Sequence, residues 1–207
     1  MKKLFATMAA MLLTAVGLSA CTAKAKQVSN ETSQTETKQE VMSLKGKKVL
    51  VAYFSWSGNT KSVAEYIAAK LNADKFEIVR EKAYPTEYNA CADEAKVEKE
   101  KGINPAIKGG LVNFDQYDVI FVGAPVWWYT APMPVFTFIN QYNFDGKTVV
   151  PFCTCYTAEY ETLSDIVKQT SGASHKDGIT IVTKEQNGKG MESNYAKIDK
   201  WLSKIGF

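Results

Sequence analysis

Short unbroken apolar runs alternate along this chain with longer stretches in which apolar residues recur every three or four positions. The first pattern suits strands buried on both faces, the second amphipathic helices. KKVLVAYF (47–54), YDVIFVGA (117–124) and TVVPFCT (148–154) are strand runs, with FEIVRE (76–81) and GITIVT (178–183) as shorter ones. Between them, TKSVAEYIAAKL (60–71) puts Val63, Ile67 and Leu71 on one stripe, with Ala64 and Ala68 beside it. Residues 88–101 are charged and weakly amphipathic, a surface helix marked by Cys91, Ala95 and Val97. Pro132 and Pro134 open a helix bearing Val135, Phe138 and Ile139. Leu163, Ile166 and Val167 mark another, and Tyr195, Ile198, Leu202 and Ile205 stripe the last. Pro151 lacks a ladder donor and predicts a bulge or irregular pairing within its strand. Strand and helix alternate five times, which predicts an α/β doubly wound parallel sheet with helices on both faces.

The first residues do not belong to that pattern. Lys2 and Lys3 precede an uncharged stretch from Leu4 to Ala20 that closes on Leu18-Ser19-Ala20-Cys21. A basic start, an apolar middle and small residues before a cleavage point are the features of an export signal. The ending resembles the lipobox of bacterial lipoproteins, which implies that residues 1–20 are removed and Cys21 is lipidated. Acyl chains on that cysteine would hold the protein on a membrane, at about 0.8 kcal/mol per buried CH₂. Residues 21–45 are then the lipidated cysteine and a polar stretch with too little apolar surface to fold, a flexible tether. The domain proper is 46–207, outside the cytoplasm on the bacterial cell envelope, with membrane contact through the anchor only.

Charge narrows the function. The formal net charge of +3 is too small for a nucleic-acid footprint. Residues 46–207 carry 19 basic and 19 acidic groups, so no strong field steers a charged partner. The single histidine, His175, excludes a His-rich metal site and His-based triad chemistry, and its polar turn predicts a surface position. Four cysteines are too few for a disulfide scaffold. Cys153 and Cys155 fall on one face of their strand, where a C-x-C bridge has poor geometry. A buried Cys153 and a partly exposed Cys155 are expected instead.

Ligands of doubly wound sheets sit beyond the carboxyl ends of the strands. The loop after the first strand is Ser55-Trp56-Ser57-Gly58-Asn59-Thr60. Hydroxyls, an amide and a glycine at a helix N-terminus can cradle a phosphate; the same residues can simply cap the helix through Ser57 or Asn59. Gly58 is followed by Asn59, not by the lysine that follows the glycine in the GxxxxGK[ST] loops of nucleotide triphosphatases. After the third strand run comes Ala124-Pro125-Val126-Trp127-Trp128-Tyr129. Its consecutive aromatics offer a flat wall for a planar ring system, or pack against the next helix or a partner. Cradle and wall together suit a ligand with a phosphate tail and an aromatic head.

YFSWSGNT (53–60) resembles the flavodoxin phosphate-loop signature, GAPVWWYTAPMP (123–134) the second flavin loop of a flavodoxin-like branch, and VVPFCT (149–154) the strand leading to the third. The resemblance implies a five-stranded sheet of order 2-1-3-4-5 and non-covalent FMN. Ser55, Ser57, Asn59 and Thr60 would hold the phosphate through side chains, and Trp56 and Gly58 through backbone N–H groups. Pro125, Val126, Trp127 and Trp128 would flank the isoalloxazine, and Thr154 would begin the third loop. That loop then departs from the family pattern. Cys155-Tyr156-Thr157-Ala158-Glu159-Tyr160 contains no glycine, and Tyr156 could stack on the flavin or fill its space. The function implied is electron transfer or FMN-dependent reduction of a small acceptor such as a quinone. A pyridine nucleotide would bind only transiently, because no GxGxxG fingerprint is present. The competing reading is a non-catalytic binding module with a weakened or lost flavin site.

Overall fold

In the computed structural model, Leu44, residues 46–186 and residues 190–207 are described. The chain divides into two units, residues 1–39 and 40–207, and every described residue belongs to the second. The export signal, Cys21 and most of the tether lie outside the described residues.

Strand β1 (Val49–Tyr53) is apolar at every position and buried throughout, which places it inside the sheet. It lies between β2 (Asp74–Glu77) and β3 (Val119–Pro125), parallel to both. β3 continues the sheet to β4 (Thr148–Cys155), with Val119 opposite Thr148 and Pro125 opposite Thr154. The far side of β4 carries two short segments, β5 (Ser174–His175) and β6 (Ile179–Val182). The order is therefore β2-β1-β3-β4-β5, with β6 also on β4. Expectation and structure agree on a doubly wound parallel sheet.

Alternate strand residues feed two cores, as the period of two requires. Leu50, Ala52, Ile120 and Val122 face helices α2 (Tyr88–Lys101), α3 (Met133–Asn140) and α4 (Thr162–Gln169), meeting Cys91, Val135, Phe138 and Ile166. Val49, Val51, Val119 and Phe121 face α1 (Asn59–Leu71) and α5 (Tyr195–Ile205), meeting Val63, Ile67, Ile198 and Leu202. Each fully buried large side chain of this kind contributes about 1.5–3 kcal/mol before entropy is counted. The segment before β1 meets the end of α5 at the foot of the sheet, where the Leu44 N–H donates to the Gly206 carbonyl at 3.1 Å.

Four details differ from expectation. The second strand is Asp74–Glu77 rather than 76–81, because Ile78 is the last residue bonded along β1, its N–H on the Tyr53 carbonyl, and Arg80 turns away to pair with Ile107. Pro151 does not disrupt β4: it sits opposite Val122 in a continuous ladder. The irregularity falls on the other side, where the neighbouring strand is interrupted between His175 and Ile179 and Gly178 packs against the Pro151 carbonyl. Cys155 is buried like Cys153, since β6 covers the end of β4. His175 is half-buried, its ring nitrogen 2.9 Å from the Thr170 hydroxyl.

Candidate functional site

The first loop leaves the sheet at Phe54, whose N–H still reaches the Gly123 carbonyl at 3.0 Å. Gly58 precedes α1 in the left-handed region at φ 91°, where a side chain is disfavoured. No side chain caps the helix and its first turn holds no acid, so Ser57 and Asn59 are not its caps. The leading amides of α1 thus face an anion-favouring space with the positive end of the helix dipole behind them. The Ser55 Oγ is buried there without a hydrogen-bond partner. Thr60 is buried, and its hydroxyl shares a 2.7 Å hydrogen bond with that of Thr154, 94 residues away. That bond ties the first loop to the end of β4. Ser57 is exposed and Asn59 half-buried. Nearby, Lys61 donates to Glu77 at 3.0 Å, and the carboxylate holds the lysine above its ordinary value.

A cavity of about 260 Å³ adjoins this cradle, and Trp56 belongs to both. Trp56 donates its indole N–H to the Pro85 carbonyl at 3.2 Å and meets Trp127 edge-on at 6.4 Å. Trp127 is wedged between Phe54 and Tyr84, at 5.4 and 5.1 Å, both edge-on. Val126, Trp127, Trp128 and Tyr129 form one wall, and Tyr88, Cys91, Ala92 and Ala95 of α2 the other, with Tyr160 at the rim.

The wall is made by a two-residue turn. Trp127 and Thr130 exchange backbone hydrogen bonds at 2.8 and 3.1 Å, and Trp128 and Tyr129 between them stand at φ 49° and 72°. Two positive-φ residues are the arrangement of a type I′ turn, normally given to Asn and Gly. The neighbours hold it: Lys99 donates to the Trp128 carbonyl at 2.6 Å, the Trp128 indole to the Ala92 carbonyl at 2.7 Å, and the Thr130 hydroxyl to Asp165 at 2.6 Å.

α2 is held in turn by a buried charge cluster. Arg80 bridges Glu94 and Glu98 at 2.7 Å each, and Tyr84 donates to Glu98. Burial, followed by the Glu98 carboxylate, pushes the Tyr84 phenol well above its ordinary value. Burial first, then Glu94 and Glu98, pushes the Cys91 thiol up to about 11, so it faces the cavity as a neutral thiol.

Trp56, Val126, Trp127 and Trp128 therefore meet at one cavity, and Ser55, Thr60 and Thr154 at one cradle. Pro125 ends β3 half-buried. Tyr156 is 69% exposed, with Lys184 over its ring at 5.9 Å, and does not line the cavity. The α2 wall was not singled out from the sequence as part of a site. Its small side chains looked like the weak apolar stripe of a surface helix, and only the tertiary fold brings them opposite Trp127. Among the described residues no cluster of His, Cys, Asp or Glu could hold a metal ion, and no helix is long and apolar enough to cross a membrane.

A flavodoxin family model matches residues 48–204. The chain belongs to the flavodoxin family. Among solved structures, a protein from Bacteroides eggerthii assigned as a flavoprotein is 31% identical, with a TM-score of 0.63 over 75% of this chain and 98% of that one. A Bacteroides uniformis counterpart matches equally, at 31% identity, TM-score 0.63, and 75% and 99% coverage. A Lactobacillus acidophilus flavoprotein, solved in complex with FMN, is 25% identical with a TM-score of 0.60 over 75% of this chain and 99% of that one. No curated protein matches the chain significantly. Membership of the flavodoxin family accounts for the strand order β2-β1-β3-β4-β5.

Proposed function

We propose that this flavodoxin-family protein binds FMN non-covalently and serves in electron transfer or in FMN-dependent reduction of a small acceptor, a quinone among the candidates. The observation that carries the reading is the meeting of an uncapped helix N-terminus with an aromatic cavity at Trp56. The residues fit the cofactor's two ends. The unpartnered Ser55 hydroxyl, the Thr60 hydroxyl and the leading amides of α1 supply donors for a phosphate without adding a carboxylate to repel it. Trp127 and Trp128 supply flat apolar surface for the ring. FMN, when bound, supplies one- and two-electron redox chemistry. The protein's part is to hold the phosphate, exclude water from the ring with its indoles, and keep charge away from the cavity by leaving Cys91 protonated.

The equal numbers of acidic and basic groups in 46–207 favour a small acceptor over a strongly charged protein partner. Tyr156 points outward, and a closed, flavin-free site would need it inside. We further propose that Cys21 carries lipid and that the domain works outside the cytoplasm on the cell envelope. The deciding experiment for FMN is an absorption spectrum of the purified chain after incubation with FMN and exhaustive dialysis. Retained flavin absorbance is expected; colourless protein that leaves flavin fluorescence unquenched on titration overturns the reading.

A further inference from the structure

A second cavity, of about 360 Å³, adjoins the turn that walls the first. Trp128 and Tyr129 line one cavity and Thr130 the other, so the turn is a partition between them. The rest of the second lining comes from the end of α2 and the residues after it, from α3 and from α4.

That lining carries both signs of charge, but they do not balance. Asp165 is answered by Lys168 at 2.9 Å and also accepts the Thr130 hydroxyl at 2.6 Å. Lys99 has no carboxylate partner among the described residues. Its ammonium donates to the Trp128 carbonyl at 2.6 Å and lies 5.6 Å from the Tyr129 ring. One uncompensated cation therefore lines the cavity, with two further N–H bonds to give. The side-chain amides of Asn104, Asn140 and Gln169 line the same space and hold no hydrogen bond among the described residues. A cation among open amides matches a ligand with one carboxylate and several hydroxyls. A simple carboxylic acid would leave the amides unanswered, and a neutral sugar would leave the cation unanswered.

The same cation grips the partition. Trp128 and Tyr129 stand at φ 49° and 72°, a strained conformation that persists while its neighbours enforce it. A carboxylate holds an ammonium more strongly than a neutral carbonyl does. A ligand that takes Lys99 takes it from Trp128.

We propose that the second cavity is a regulatory site for a sugar acid, whose carboxylate draws Lys99 off the Trp128 carbonyl and loosens the wall of the first cavity. The site stands on its own geometry, and its effect on the cofactor rests on the FMN reading above.

The probe is D-glucuronate, compared with D-glucose, which lacks the charge, and acetate, which lacks the hydroxyls. Calorimetry on the flavin-free chain should show glucuronate binding at millimolar concentration, and each of the others at least about tenfold more weakly. Asn140→Ala/Gln169→Ala changes two exposed side chains outside the turn and should erase the preference over acetate. Lys99→Gln should erase the preference over glucose. On the FMN-loaded chain, saturating glucuronate should weaken FMN binding several-fold, and acetate at the same concentration should not. No glucuronate binding, or a preference that survives in its variant, overturns the site. Glucuronate that binds and leaves FMN affinity unmoved overturns its regulatory role. A chain that takes up no FMN overturns the cofactor reading instead. The loosened turn is then read on the flavin-free chain from indole emission, which glucuronate should shift and acetate should not; an unmoved emission overturns the release of Trp128.

Discussion

The hydroxyls of Thr60 and Thr154 lie 2.7 Å apart and buried, joining the head of α1 to the end of β4. Each fixes the other in a place where a phosphate needs a hydroxyl aimed and dry. Thr154→Val keeps the shape and deletes the bond. It should lower stability by about 1 kcal/mol and weaken FMN binding several-fold, read by flavin fluorescence titration. Thr60→Val should weaken binding more, because it also removes a hydroxyl from the cradle.

Gly123 lies opposite Phe152 in the β3–β4 ladder, and a Cβ there would meet the phenyl ring at 2.1 Å. Phe152 is fully buried and has nowhere to go. Gly123→Ala should therefore destabilise by about 1–3 kcal/mol, the range for overpacking, as a lowered urea midpoint with an unchanged slope.

Arg80 neutralises Glu98, whose side chain is almost completely enclosed. Arg80→Met strands that carboxylate with only the Tyr84 hydroxyl as a donor, and should cost about 3–5 kcal/mol. Arg80→Met/Glu98→Gln should recover a large part of the loss. Because the cluster seats α2, the single variant should also release FMN faster, as stopped-flow fluorescence would record.

Burial raises the Cys91 thiol to about 11 and the Tyr117 phenol, next to Asp74, to about 12. Both shifts favour the protonated form in the folded state. Their contribution to stability is therefore complete below the ordinary values of 9.0 and 10.0 and is lost as pH climbs through about 11 and 12. Chemical denaturation should show a stability plateau near neutrality and a fall beginning above roughly pH 9, less steep in Tyr117→Phe. Iodoacetamide should leave Cys91 unlabelled at neutral pH and modify it across the alkaline fall.

Cys21→Ala removes the proposed lipid attachment and leaves the folded domain untouched. In a bacterial host the variant should move from the membrane fraction to the soluble one, as immunoblotting would show. A variant that stays with the membrane would remove lipidation from the proposal.

The sheet was legible because its strands are buried on both faces, so β1, β3 and β4 spell themselves out as apolar runs. The cradle was legible for a related reason: Ser55, Gly58 and Thr60 act close together in sequence. What sequence could not show depends on distant contacts. β2 is mostly exposed, so its apolar residues run on into Ile78 and Val79 and misplace the strand. Pro151 looked disruptive, yet its effect falls on the neighbouring strand, beside Gly178. The α2 wall needed Arg80 and Tyr84, neither in α2, to bring Ala92 and Ala95 across from Trp127. The positive φ of Tyr129 and Tyr160 has no compositional signature, because tyrosine is an improbable residue for that conformation.

The hydrogen bond between Leu44 and Gly206 has a practical corollary. With Leu44 and Gly206 both beside the start of β1, and β1 spanning roughly 16 Å at 3.3 Å per residue, a graft at either residue attaches remote from the cavity mouth. Attached to a surface through Leu44, the domain would hold its cavity mouth clear of that surface, open to the acceptor proposed for it.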